Sequence, residues 1–89
     1  MVYVVSSTTP HRRPPRIDVA INASLTTSDR VTFPVAIRDI SASGFRVEAL
    51  APEEFVVGEV VTITVPGEEC LRGEIKWTAG RFAGASLIL

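Results

Sequence analysis

The sequence predicts an all-β protein, a small six-stranded antiparallel β-barrel. Apolar and polar residues alternate with a period of two through most of the chain, which is typical of half-buried antiparallel strands. Turn-forming residues interrupt this pattern at short, near-regular intervals, as they do in small barrels and sandwiches. At 89 residues the chain makes one domain, and closing the sheet into a barrel would remove its exposed edges.

The first two strands follow from the clearest alternation. It begins at Ile17 and continues to Leu25, and a second run extends from Val31 to Ile37. The segment between them, TTSDR, consists of polar residues that favour turns. The two runs therefore predict consecutive strands joined by a turn.

Four shorter strands follow from the rest of the chain. The segments SASG, PGEE and TAGR carry turn signals, and no segment indicates a convincing helix. In the fifth run Trp77 shares parity with Ile75, which predicts that the indole packs in the core. Because Trp77 lies near a strand end, a position at the border of a binding site is the alternative. The predicted strands are residues 45–49, 60–65, 71–77 and 82–89.

Positive charge is concentrated at one end of the chain. Residues 1–17 contain Arg12, Arg13 and Arg16 and no acidic residue, whereas the remainder carries six basic and ten acidic residues, a net charge of −4. An acidic body with one short basic segment indicates a local anion-binding site. A broad nucleic-acid surface would need several dispersed phosphate contacts, so we expect no nucleic-acid partner.

Composition argues against several broad classes of protein. No apolar run approaches the ~18 residues of a membrane-spanning helix, and the N-terminal MVYVV has neither the basic region nor the length of a signal peptide. The one cysteine, Cys70, cannot form an internal disulfide, which fits a reducing compartment. We therefore expect a cytoplasmic protein. One histidine, one cysteine and no clustered metal ligands leave no evident nucleophile–base pair, so we expect no enzyme activity, metal or cofactor.

The segment HRRPPRID carries the first candidate site. Its arginines have the spacing R-x-x-x-R at Arg12 and Arg16, with Arg13 beside the first. The two prolines favour an extended backbone, and planar guanidinium groups suit phosphates and the guanine edge. A solvated basic tail, or a polyproline ligand for a partner domain, is the alternative interpretation. We expect residues 1–10 to be a mobile N-terminal segment and residues 11–89 to form the barrel domain.

The segment DISASG carries the second candidate site. Asp39 and Ser41 share parity with Val35 and Ile37, so we expect them to continue the inward face towards a strand end. A carboxylate there can accept two N–H bonds from the N1 and N2 edge of guanine. Gly44 offers positive φ or close backbone approach. The alternative is an ordinary hairpin in which these side chains bond to the local backbone.

Together, the two segments resemble the PilZ family of cyclic di-GMP receptors. The matching residues are Arg12 and Arg16 in the R-x-x-x-R arm, then Asp39, Ser41 and Gly44 in D-x-S-x-x-G. The later GEVVTITVP and GEIKW also look like the end of that family's sequence. The resemblance covers nearly the whole chain and depends on the order and spacing of short motifs.

The resemblance implies a split-barrel type of six-stranded fold, with a flexible arginine arm that folds over the nucleotide. It gives Arg12 and Arg16 contacts with guanine and phosphate, and Arg13 becomes an additional phosphate contact. It gives Asp39 and Ser41 contacts with the base edge. The implied ligand-binding residues, with the glycine that holds the turn, are Arg12, Arg13, Arg16, Asp39, Ser41 and Gly44.

The function implied is a small receptor or adaptor that binds cyclic di-GMP and signals to an unidentified effector protein. A PilZ-like adaptor that works only through protein–protein contacts is the main alternative. Adaptors of that kind usually lack the arginine pair or the Asp and Ser residues, and both are present here. Arg38 and Arg46 flank the second motif. They are expected to form surface ion pairs, with a phosphate contact as the alternative.

Overall fold

Six antiparallel strands form a closed barrel, as the sequence predicts. The computed structural model describes residues 17–88, so the expectations for the mobile segment, the arginine arm and its side chains lie outside the described residues. The strands are β1 (Ile17–Thr26), β2 (Thr32–Ile40), β3 (Gly44–Ala49), β4 (Val60–Thr64), β5 (Leu71–Ala79) and β6 (Phe82–Leu87).

The strands follow the order β1-β2-β3-β6-β5-β4 around the barrel. The β3–β4 connection is the long one, and it is held to the barrel by Phe55, whose ring centroid lies 5.9 Å from that of Phe33. No helix among residues 17–88 has the length and apolar character needed to span a membrane. The barrel closes between β1 and β4 through the pairs Ser24–Thr64, Leu25–Ile63 and Thr26–Thr62.

Alternation fills the interior with aliphatic side chains. In β3, Phe45, Val47 and Ala49 are buried, while the intervening Arg46 and Glu48 are half-buried on the outer side. Burying an aliphatic or aromatic side chain contributes ~1.5–3 kcal/mol relative to leaving it exposed. The largest fully buried side chains come from five strands: Leu25, Val35, Ile37, Val47, Val61, Ile63 and Ile75.

A bulge in β2 changes the direction of the side chains near its end. Ile37 pairs with Val47, but the next aligned pair is Asp39 with Arg46, so β2 advances two residues while β3 advances one. A β-bulge of this kind inserts one residue and shifts the alternation that follows it. After the bulge, Ile40 pairs with Phe45, and its side chain packs against the core of the barrel.

The bulge overturns the predicted orientation of Asp39. Strict alternation from Ile37 would place its side chain on the inner face. Because its partner Arg46 stands between the inward-facing Phe45 and Val47, Asp39 lies on the outer side of the barrel. It is only 7% exposed there, and its carboxylate forms an ion pair with Arg46.

A second bulge overturns the prediction that Trp77 packs in the core. The register of β5 against β6 shifts between Ile75 and Trp77, so Ile75 faces inward and Trp77 faces outward. The indole is 44% exposed. Alternation alone cannot show such a shift, because it assumes a strand without inserted residues.

Candidate functional site

An open cavity of about 350 Å³ lies on the outer surface of β2, β3, β6 and β5. Its volume is at the lower end of the ~300–1,000 Å³ usual for small-molecule sites. The second sequence motif contributes all three of its candidate residues to the lining. The lining includes Asp39, Ser41, Gly44, Arg46, Lys76 and Trp77.

One row of paired residues crosses the four strands beneath this cavity. Asp39 on β2 pairs with Arg46 on β3, which pairs with Gly84 on β6, which pairs with Trp77 on β5. Residues paired in this way share one face of a sheet. The two bulges are what bring Asp39 and Trp77 into the row, one at each end.

Trp77 forms one wall of the cavity because its neighbour is a glycine. A Cβ added at Gly84 would collide with Nε1 and with the ring carbons of the indole. The missing side chain allows the indole to lie directly across β6. A partly exposed indole beside a cavity can stack on a planar base, and every base has a suitable face.

An ion pair forms the opposite wall. Nε of Arg46 lies 2.9 Å from Oδ2 of Asp39, whose side chain is 10% exposed. Nε is buried, but it makes no hydrogen bond within the described residues, so the contact is an ion pair without an aligned N–H bond. The guanidinium carbon of Arg46 also lies 5.4 Å from the ring centroid of Phe82, within cation–π distance.

Ser41 lies in a tight turn and its hydroxyl is used locally. Its backbone N–H donates to the carbonyl of Gly44 at 2.8 Å. Its Oγ accepts from the N–H of Ser43 at 3.3 Å. The hairpin interpretation therefore describes Ser41 correctly in this structure, and the same residue also lines the cavity.

Gly44 is required for close approach rather than for a left-handed backbone. Positive φ among the glycines of residues 17–88 is found at Gly58, Gly67 and Gly80. A Cβ at Gly44 would instead collide with the carbonyl oxygen of Ala85 on β6. The glycine thus lets β3 and β6 pair closely at the edge of the cavity.

The arginines of the first motif fall outside the described residues. The structure shows only where the chain that follows them joins the barrel. Ile17, the residue after Arg16, pairs with Ile40, and Ile40 directly precedes Ser41. The sequence therefore connects the arginine segment to the barrel beside the D-x-S-x-x-G turn.

The structure separates two arginines that the sequence treats alike. Arg46 lines the cavity, whereas Arg38 does not. Nε of Arg38 lies 3.9 Å from Oε1 of Glu48. Lys76 also lines the cavity and pairs with Glu74 at 3.3 Å. Lys76 occupies the β5 bulge, which no alternation pattern indicates.

The chain was also compared with known proteins. A family model described as the PilZ domain matches residues 10–85, which include both candidate motifs. No curated protein matches the sequence significantly. Among residues 17–88, no group of three or more His, Cys, Asp or Glu residues is arranged to hold a metal ion.

Proposed function

This chain belongs to the PilZ domain family, and on that premise we propose that it binds the bacterial second messenger cyclic di-GMP. PilZ domains are generally non-catalytic binding domains, and the family includes cyclic di-GMP receptors. The observation that carries the proposal is the cavity on the outer surface. Asp39, Ser41 and Gly44, the residues of the second family motif, all line it.

The chemistry of these residues suits a guanine base. The Asp39 carboxylate can accept hydrogen bonds from N1 and N2 of guanine. The Ser41 hydroxyl accepts from the N–H of Ser43 at 3.3 Å and donates to the carbonyl of Gly44 at 3.4 Å. In this proposal an acceptor on the ligand replaces that long bond to the carbonyl. Gly44 keeps this side of the cavity clear of side-chain atoms.

Trp77 supplies a stacking surface on the other side. Its exposed indole lines the cavity at the other end of the row from Asp39, so the ring face can stack on a base bound there. Base–aromatic stacking typically contributes ~1–3 kcal/mol per base. Trp77 joins the proposed site from the structure rather than from the motif.

Arg12, Arg13 and Arg16 supply the positive charge that a ligand with two phosphates requires. In this proposal Arg12 and Arg16 bind guanine and phosphate, with Arg13 as a further phosphate contact. Their support is the family motif and their sequence position before Ile17, whose strand partner Ile40 adjoins the cavity.

The proposed output is a change of surface. Ligand binding would order the arginine segment against the barrel, and an effector protein in the cytoplasm would recognise the resulting surface. The described residues form one barrel of six strands, and a partner that recognises the changed surface is part of the proposal.

Calorimetric titration of cyclic di-GMP into the intact chain tests the proposal. We expect wild-type binding, and a loss on the order of a hundredfold or more in Arg12→Ala/Arg16→Ala, since two arginine–guanine or arginine–phosphate contacts disappear. The matched control is Arg72→Ala/Arg81→Ala, which removes two exposed arginines outside the cavity and should bind as wild type does.

Asp39→Ala adds a test of base specificity. We expect this variant to lose discrimination between cyclic di-GMP and cyclic di-AMP, with Asp29→Ala as the control at an exposed turn. Absence of binding by a folded wild-type protein would contradict the proposal. It would favour the adaptor that acts through protein contacts alone.

A further inference from the structure

We propose that Arg46 and Asp39 act as one recognition edge for a single guanine base, an inference that rests on the proposed function. Arg46 is a second specificity-determining residue beside Asp39. It would hold the carboxylate in place and donate to the same base that the carboxylate binds.

The side chains of Asp39 and Arg46 lie next to each other in the cavity wall. They project from directly paired positions on β2 and β3, and both line the cavity. Nε of Arg46 is 2.9 Å from Oδ2 of Asp39. The charged groups therefore lie side by side in the same wall, available to one ligand edge.

The surroundings of Arg46 fix which donors remain for a ligand. Nε is buried, and although it lies 2.9 Å from Oδ2 of Asp39 it makes no hydrogen bond among residues 17–88. The guanidinium carbon is 5.4 Å from the ring centroid of Phe82, so that ring supports the group from a second direction. The side chain is nevertheless 41% exposed. The terminal nitrogens carry four further N–H donors, and the proposal assigns these to the ligand.

The order of donors and acceptors in this wall matches guanine. The two carboxylate oxygens of Asp39 are acceptors, and the guanidinium beside them is a donor. Guanine presents two donors, its N2 amino group and N1–H, followed by the acceptor O6. Asp39 would accept from N2 and N1, and Arg46 would donate to O6. Adenine carries a donor amino group in place of O6 and would oppose the guanidinium.

Arg38 provides a matched comparison within the same barrel. Its side chain is also 41% exposed, and it is also paired with a carboxylate, Glu48, at 3.9 Å. It does not line the cavity. The two arginines thus share exposure, charge and pairing, and they differ in access to the proposed ligand.

The experiment is calorimetric titration of cyclic di-GMP into wild type, Arg46→Ala, Arg38→Ala, Asp39→Ala and Asp39→Ala/Arg46→Ala. We expect Arg46→Ala to weaken binding about tenfold or more and Arg38→Ala to leave it unchanged. We expect the double variant to lose little beyond Asp39→Ala, because side chains that act on one base give non-additive losses. Arg46→Ala should melt at a lower temperature than Arg38→Ala, because it leaves the buried carboxylate of Asp39 without its partner, so binding is compared at a temperature where circular dichroism shows every variant to be folded.

Two results would overturn this inference, and a third would contradict the proposed function instead. Unchanged or stronger binding by Arg46→Ala would overturn the inference, because Arg46 would then be neutral or would compete with the ligand for Asp39. Fully additive losses in the double variant would also overturn it, since the two residues would then act on different parts of the ligand. Failure of the wild type itself to bind would contradict the proposed function instead.

Discussion

At the residue scale, two glycines shape the cavity for different reasons. A Cβ at Gly44 would collide with the carbonyl oxygen of Ala85, whereas a Cβ at Gly84 would collide with the indole of Trp77. A backbone atom in a paired strand cannot move without breaking the ladder, whereas a side chain can rotate away. The same substitution should therefore have different effects at the two positions.

We predict that Gly44→Ala destabilises the fold more than Gly84→Ala does. Overpacking typically costs ~1–3 kcal/mol, and the strand pairing between β3 and β6 would have to shift at Gly44. Gly84→Ala should instead displace Trp77. Urea unfolding followed by circular dichroism compares the stabilities.

The fluorescence of Trp77 completes this test, because the chain contains a single tryptophan. Gly84→Ala should change its emission and should weaken cyclic di-GMP binding by moving the stacking surface. Equal loss of stability in the two variants, with an unchanged emission spectrum, would contradict the different roles assigned to the glycines.

At the scale of single elements, two bulges determine which residues face the site. Each inserts one residue into a strand, in β2 between Ile37 and Asp39 and in β5 between Ile75 and Trp77. The residue before each bulge is in the core, and the residue after it lies on the outer surface. Bulges of this kind are over-represented next to functional sites, where they redirect side chains.

The β5 bulge predicts that Ile75→Ala destabilises the fold more than Trp77→Ala does. Ile75→Ala should cost ~2–5 kcal/mol, as expected for a truncated, fully buried side chain. Trp77→Ala should cost less, although tryptophan is larger, because its ring is 44% exposed on the outer surface. Urea unfolding by circular dichroism measures both values.

Cyclic di-GMP binding should depend more on Trp77 than on Ile75. We expect Trp77→Ala to weaken cyclic di-GMP binding about tenfold through lost stacking. A stability loss in Trp77→Ala larger than in Ile75→Ala would mean that the indole belongs to the core after all.

At the scale of the whole molecule, the ligand is expected to stabilise a small barrel. A ligand that binds only the folded state adds ~2.7 kcal/mol of stability at one hundred times its Kd. For a domain of 60–100 residues, each kcal/mol raises Tm by roughly 4–8 °C. We therefore predict a rise in Tm of about 10–20 °C for wild type with saturating cyclic di-GMP. Arg12→Ala/Arg16→Ala should show little rise at the same ligand concentration.

Hydrogen exchange locates the part of the chain that responds. We expect cyclic di-GMP to increase protection of residues 8–17, because the proposed arginine contacts hold this segment on the barrel. The β4–β5 pairs lie outside the cavity lining and serve as the internal control, since they should gain only the protection that comes from global stabilisation by the ligand. Equal protection of residues 8–17 with and without ligand would contradict ordering of the arm.

The fold class, the number of strands and the two motifs could be predicted from the amino-acid sequence. Period-two alternation requires one face of each strand to be buried, and the turn signals divide the chain into six such runs. The D-x-S-x-x-G spacing also identified three residues that the structure brings to one cavity, Asp39, Ser41 and Gly44. The role of the arginine segment stays a prediction from the sequence and the family.

The pairing of strands in the folded barrel sets which side chains face that cavity. Alternation predicted Trp77 in the core and Asp39 on the inner face, and both orientations were wrong. A bulge is defined by how one strand aligns with its neighbour, so the sequence of a single strand does not reveal it. The difference between Arg46 and Arg38 has the same origin, since strand pairing sets Arg46 between Asp39 and Gly84.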